Sequence, residues 1–328
     1  MSRILGAPGR AWLRWVDRIG RRESGEALAL FRIGSGAAVV ASVLSVVMAG
    51  LVRPIWIDAA HGGILPLTGG WLVQALGGAT PSVVWGLVVV TLLAGVTLTL
   101  GIAGRVSALV AAQGMLALTS LDTDTRCSYD PLLVNSLWLL VLADSTATLS
   151  VQCRRRHGRW MDARLVAAWP RYLIIVQLVV LYTATGLHKI SLSWTPGGGF
   201  SALYYILQQP SWQHGDMTWL AHVYPVTQVG TAVTWIWELT WPLVLLALYV
   251  RSTAERGGRA RRWFDRLRLR TVYAVIGLGI HLTIPLVMVV GPFSLVTLAY
   301  YPCLFRAEEL RAMGRGCARR WPWRRGGG

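Results

Sequence analysis

The chain has 328 residues, 54% of them apolar and 14% charged, with 17 tryptophans and a formal net charge of +17. Its mean hydropathy of +0.49 excludes an ordinary soluble globule and indicates a polytopic membrane protein. The basic balance does not indicate a nucleic-acid binder, because no soluble basic domain, zinc-finger spacing or aromatic-basic platform accompanies it.

Residues 1–28 read as a cytoplasmic N-terminal segment. Within it Trp12, Trp15, Val16 and Ile19 fall at helical spacing beside Arg14 and Arg18, which predicts an amphipathic helix over 11–19 lying on the inner leaflet. The apolar run that follows is too long for the core of a cleaved signal, and no small-residue cleavage site comes after it. Residues 29–305 then read as an all-α membrane helix bundle. Its apolar runs predict about eight spans, at 29–50, 82–101, 106–121, 131–149, 171–189, 230–250, 271–290 and 293–305. The third and eighth are short. Pro285 and the Gly291-Pro292 pair are expected to divide the last apolar stretch in two. Residues 306–328 form a basic tail, and its Arg-Arg-Trp-Pro-Trp-Arg-Arg run over 319–325 suits contact with anionic lipid.

The basic residues test this topology independently, because cytoplasmic loops carry the Lys/Arg excess. Of 31 arginines, 27 fall in residues 1–28, 150–171, 251–270 and the tail after 305, whereas residues 190–229 contain none. This places both termini in the cytoplasm and the 190–229 loop outside, in a chain expected in the bacterial cytoplasmic membrane. The four cysteines are scattered, so no disulfide is expected, and the six histidines are too dispersed for a local metal motif.

Polar groups at membrane depth are the candidates for function. Gln177, Tyr182, His188 and Lys189 lie on the fifth span, Glu238 on the sixth and His281 on the seventh. Lys189 is the chain's single lysine. A lysine can shed its proton when buried and an arginine cannot, so Lys189 is a candidate base. It can equally be a cation held at a helix C-terminus near headgroups. Counting about 1.5 Å per residue puts Glu238 roughly 12 Å and His281 roughly 15 Å from the ends of their spans, so the two can meet near mid-membrane. That leaves open a cavity lined by Glu238, His188, Tyr182 and Gln177, or a structural Glu238–His281 pair. Arg32, near the cytoplasmic end of the first span, is expected to snorkel.

These residues carry a family resemblance. Leu28-Ala-Leu-Phe-Arg-Ile-Gly-Ser-Gly36, Ile57-Asp-Ala-Ala-His-Gly-Gly-Ile-Leu-Pro66, Gly101-Ile-Ala-Gly-Arg-Val106 and Tyr182-Thr-Ala-Thr-Gly-Leu-His-Lys189 together resemble the HTTM family. This is the membrane domain of vitamin K-dependent gamma-carboxylase and its bacterial relatives. In the resemblance Lys189 falls on the catalytic lysine, and His281, within Gly279-Ile-His-Leu-Thr283, on a family histidine of a late span. It implies a quinone-linked or peptide-modifying enzyme in which a neutral lysine amine deprotonates a reduced quinone. Reaction of that quinone with oxygen then gives a base strong enough to act on a glutamate side chain. Two departures stand against a full transfer: Cys127 occupies the place of a histidine, and no large lumenal region follows the last span. The alternative is a non-enzymatic membrane protein that binds lipid or a quinone, or assists maturation of a small secreted peptide. A transporter ranks below both, because no internal repeat is found.

Overall fold

The structure is a computed structural model that describes residues 16–17 and 20–320. Most of the amphipathic segment predicted at 11–19, and the tail from residue 321, lie outside the described residues. The described chain is mostly helical and forms two compact units, residues up to 174 with 299 onward, and residues 175–298.

In the first unit a short ladder, β1 (Arg22–Ser24) paired antiparallel with β2 (Leu165–Ala167), interrupts the all-α pattern. The principal helices are α1 (Glu26–Met48), α2 (Pro81–Leu100), α3 (Gly104–Thr119), α4 (Asp130–Leu142) and α5 (Val151–His157). α2 starts where Thr80 caps the Val83 amide and Pro81 opens the first turn, and it ends on Gly101 in the left-handed conformation. Small residues set the approach of these helices, as is usual where lipid supplies no hydrophobic drive between them. A Cβ on Gly36 would lie 2.9 Å from the Gly95 carbonyl oxygen, and one on Gly114 would lie 2.0 Å from the Thr91 hydroxyl.

Arg32 does not snorkel. Its side chain is fully buried and donates to four main-chain carbonyls: Ser145 at 3.1 Å, Leu98 at 2.6 Å, Thr99 at 2.8 Å and Leu149 at 2.6 Å. At the end of α2 the guanidinium fork satisfies the Thr99 carbonyl and adds a second donor to the Leu98 carbonyl, which also accepts from the Gly101 amide. The chain between α4 and α5 supplies the other two.

The second unit takes the end of α6 (Trp169–His188), then α7 (Ala202–Leu207), α8 (Tyr224–Leu239), α9 (Pro242–Ser252), α10 (Leu269–Val287) and α11 (Phe293–Leu298). On α10 the exposed residues Val275, Leu278, Leu282 and Leu286 form one face, and Tyr273, Gly277 and His281 lie on the buried one. Apolar outside and polar inside is the pattern of a helix solvated by lipid. The segment expected to be an exterior loop at 190–229 is ordered in part: its last residues belong to α8. Leu207, Met217 and Leu220 pack with Tyr204, Val223, Val287 and Met288 in a small core.

Four helical stretches are long and apolar enough to span a bilayer: Glu26–Met48, Pro81–Leu100, Trp169–His188 and Arg259–Val287. A fifth span exists if Thr218–Leu239 and Pro242–Ser252, bent by 51°, cross as one. The protein is therefore a multi-pass membrane protein with four or five spans by length and composition. Of the eight predicted runs, three form shorter helices, namely α3, α4 and Phe293–Leu304. Two details of the prediction are corrected. The predicted sixth span is not straight, because Pro242 has no amide hydrogen to continue the ladder of α8. Conversely α10 runs through Pro285 and stops only at Val287, so the break falls before the Gly291-Pro292 pair.

Candidate functional site

The second unit brings the candidate residues together in two adjoining contacts. Lys189 lies one residue beyond α6, and its Nζ forms an ion pair with Glu238 in the last turn of α8. The lysine side chain is 18% exposed and the glutamate 8%. Gly186 permits the approach: a Cβ there would meet the Leu239 amide nitrogen at 2.9 Å and the Glu238 Cβ at 3.0 Å. The Trp194 ring covers the ammonium, with its centroid 4.6 Å from Nζ, a cation–π contact.

One turn before Gly186, Tyr182 starts the second contact. Its hydroxyl lies 2.6 Å from Nε2 of His281, whose Nδ1 lies 3.1 Å from the Thr297 hydroxyl oxygen. Thr297 in turn reaches the carbonyls of Phe293 and Ser294, both at 3.0 Å. A hydroxyl has one proton to give, and a carbonyl can only accept. With the Thr297 O–H given to a carbonyl, Nδ1 of His281 carries a proton and donates to Thr297; a neutral imidazole then accepts from the Tyr182 O–H at Nε2.

Aromatic rings wall this chain. Tyr182 stacks on Trp241 at 4.7 Å and meets Trp237 edge-on at 4.5 Å. Trp237 donates from Nε1 to the Tyr273 carbonyl at 3.1 Å, and Tyr273 donates to the Thr240 carbonyl at 2.9 Å. The Thr240 carbonyl also accepts from the Leu243 amide, and the Tyr273 hydroxyl lies 2.6 Å from the Thr240 hydroxyl, so Tyr273 ties α10 to the bend beside Glu238.

The expected Glu238–His281 pair is not formed; each residue has a different partner. The depth argument measured Glu238 from residue 230, whereas α8 begins at Tyr224 and turns after Leu239. His188 is exposed and turns back to the Ala184 carbonyl at 2.7 Å, and half-buried Gln177 makes no hydrogen bond to the cluster among the described residues. Trp194 follows the Lys189 motif that the sequence singles out, whereas sequence reasoning missed Trp237, Trp241, Tyr273 and Thr297. The i, i+4 spacing of Trp237 and Trp241, flanking Glu238 on the helical side that faces Tyr182, was a legible signal for the aromatic wall.

Four buried hydrogen-bonding groups in this unit, the Thr183 and Ser294 hydroxyls and the Trp235 and Trp241 indole N–H groups, lack a partner among the described residues. No group of three or more metal-ligating side chains occurs among the described residues.

A family model described as the HTTM domain matches residues 21–254. No curated protein matches the chain. No solved structure matches it either.

Proposed function

This chain belongs to the HTTM family, and on that premise we propose that it is a membrane enzyme of the carboxylase-like kind, quinone-linked or peptide-modifying, with Lys189 as its base. The observation that carries the reading is the Lys189–Glu238 pair. Its proton can rest on either partner while the pair stays electrically neutral, so the amine can become a free base without creating a net charge at membrane depth. Glu238 is the proton store in this reading, and Trp194 excludes water from one side of the amine. Tyr182, His281 and Thr297 hold the second wall in one hydrogen-bonded arrangement. A reduced quinone would supply the acidic hydroxyl, and Trp241, Thr183 and Ser294 have the spare groups to orient its oxygens.

The test uses the full-length protein in lipid nanodiscs with a reduced naphthoquinone and an oxygen electrode. Oxygen uptake that depends on the protein, and that Lys189→Arg removes, is the expected result. Uptake no greater than in empty nanodiscs would overturn the enzyme reading. A second reading, a non-enzymatic binder of quinone or lipid or an aid to secreted-peptide maturation, draws on the same ion pair used only as a closure between α6 and α8. Bound quinone or lipid identified by mass spectrometry, without oxygen uptake, would favour it.

The membrane setting we propose is a bacterial cytoplasmic membrane with both termini inside, an HTTM-like domain over 29–305 and basic flanks at 1–28 and 306–328. The support is the segregation of 27 arginines into four segments. With the four native cysteines replaced by serine, a His214→Cys protein should label only from outside, and labelling from the cytoplasm alone would sink the orientation.

A further inference from the structure

The Gly101-Ile-Ala-Gly-Arg-Val106 motif plays no part in the Lys189 site, yet it builds a cleft in the first unit. Gly101 and Ala103 both take positive φ, at 71° and 47°, so the chain leaves α2 and enters α3 in a tight turn. No side chain caps the start of α3. Its opening residues Gly104, Arg105 and Val106 line a cleft of about 350 Å³ with Asp144, Arg156 and Arg164. A second cleft of about 200 Å³ shares Arg105, Asp144 and Arg164 with it and adds Arg22. The two are one basic groove with a common wall.

Charge in this groove is unbalanced. Its one acidic residue, Asp144, is already paired with Arg164. Arg22, Arg105 and Arg156 have no side-chain hydrogen bond or ion pair among the described residues. A helix N-terminus with uncapped amides adds the positive end of its dipole to the same space. Gln152, also in the wall, has a buried side-chain oxygen with no partner. Arginine forks and uncapped amides match the tetrahedral oxygens of a phosphate.

Apolar surface adjoins the charged groove. Val106 and Leu142, which line it, are 63% and 59% exposed, and Leu109, one turn further along α3, is exposed as well. A free phosphate has no use for such a wall, whereas acyl chains do. The groove lies where α2 ends and α3 begins, at the arginine-rich ends of the helices and so at a membrane interface.

We propose that this groove is a binding site for an anionic phospholipid, its phosphate held by Arg105, Arg156 and Arg22 and its acyl chains lying along Val106, Leu109 and Leu142. Gln152 then has a partner in a headgroup hydroxyl, which favours a glycerol headgroup. The site is independent of Lys189, so it stands or falls separately from the enzyme reading.

The experiment is thermal unfolding of the full-length protein in detergent, followed by tryptophan fluorescence, with phosphatidylglycerol, phosphatidylcholine or inorganic phosphate added. Phosphatidylglycerol should raise the midpoint by several degrees more than phosphatidylcholine, and inorganic phosphate should leave it unchanged. The exposed pair Arg105→Gln/Arg156→Gln should lose more than half of that shift. Arg259→Gln/Arg262→Gln, which removes equal exposed charge outside the groove, should keep it. Equal shifts with both lipids, an undiminished shift in the groove variant or an equal loss in the control variant would each overturn the proposal. A shift reproduced by inorganic phosphate would overturn the lipid as its source.

Discussion

Arg32 and Lys189 are both cations placed among apolar helices, one in each unit, and they are neutralised in different ways. Arg32 is surrounded by four carbonyl oxygens and no carboxylate. Lys189 faces a carboxylate and an indole ring. A carbonyl cannot take a proton at any ordinary pH, so Arg32 is a fixed cross-link between segments as far apart as residues 32 and 149. A carboxylate can take one, so the Lys189–Glu238 pair has two neutral states. The difference separates a cation that can only hold structure from one that could, as proposed, do chemistry, although both are polar groups among the helices of a membrane protein.

The largest effect expected from breaking this contrast is on the structural side. Arg32→Met would strip the donor from the Ser145, Thr99 and Leu149 carbonyls, while the Leu98 carbonyl keeps the Gly101 amide, and a buried carbonyl left alone costs about 1–3 kcal/mol. The sum competes with the whole stability of a domain, about 5–15 kcal/mol. The variant should therefore give little monodisperse protein in fluorescence-detected size exclusion. Arg32→Lys should recover only part of it, because an ammonium has three donors and no planar fork. Normal yield and melting of Arg32→Met would refute the cross-link.

On the chemical side, Lys189→Arg keeps the charge and loses the neutral state. If Lys189 is the base proposed above, turnover should fall about 10²–10⁴-fold, the usual worth of a positioned base, while the melting temperature changes little. Full activity in Lys189→Arg would leave the pair as a helix closure.

A smaller effect discriminates the pairing itself. In a double-mutant cycle, Lys189→Met and Glu238→Leu should couple by about 0.5–3 kcal/mol, since either single change strands a buried charge. Glu238→Leu and His281→Phe should couple less, within about 0.5 kcal/mol, because the two residues share no hydrogen-bond partner. Reversed couplings would restore the Glu238–His281 pair that depth along the spans suggests.

Much of this architecture is legible in the sequence because lipid enforces it. Runs of about 20 apolar residues between arginine clusters became helices such as Glu26–Met48 and Pro81–Leu100. The residues of the site were legible for the same reason: Lys189, Glu238, His281 and Tyr182 stand out wherever polar atoms are scarce. Their pairing was not. It depends on where α8 begins, on Pro242 bending the chain just after Glu238, and on Gly186 letting two backbones close, none of which a count of residues along a span contains. Arg32 was misread for a related reason. Snorkelling needs only the residue's own helix, whereas its observed carbonyl partners lie 66 to 117 positions away in the chain. The short β1–β2 ladder is equally non-local, and three-residue strands have no periodicity to detect.

The smallest effect asks whether the first unit also uses a negative charge to hold main chain. Asp58 is the counterpart of Arg32: one carboxylate oxygen accepts from the Ala60 amide at 2.8 Å and the other from the Leu67 amide at 2.6 Å. These amide hydrogen bonds, Leu67 first, hold its pKa below the usual carboxylate value. A group whose folded pKa is depressed adds stability above its unfolded pKa and loses it as pH falls through the folded one. The turn over 58–67 should therefore hold its amides at pH 5 and still at about pH 4, where an unperturbed aspartate is half protonated, and release them only as pH falls further through the depressed folded pKa. Hydrogen exchange of Ala60 and Leu67, corrected for the intrinsic rate at each pH, measures this directly. Asp58→Asn keeps an acceptor but cannot titrate, so its protection should start lower and stay flat over the same range. Identical pH profiles in the two proteins would show that the turn is held by its backbone alone.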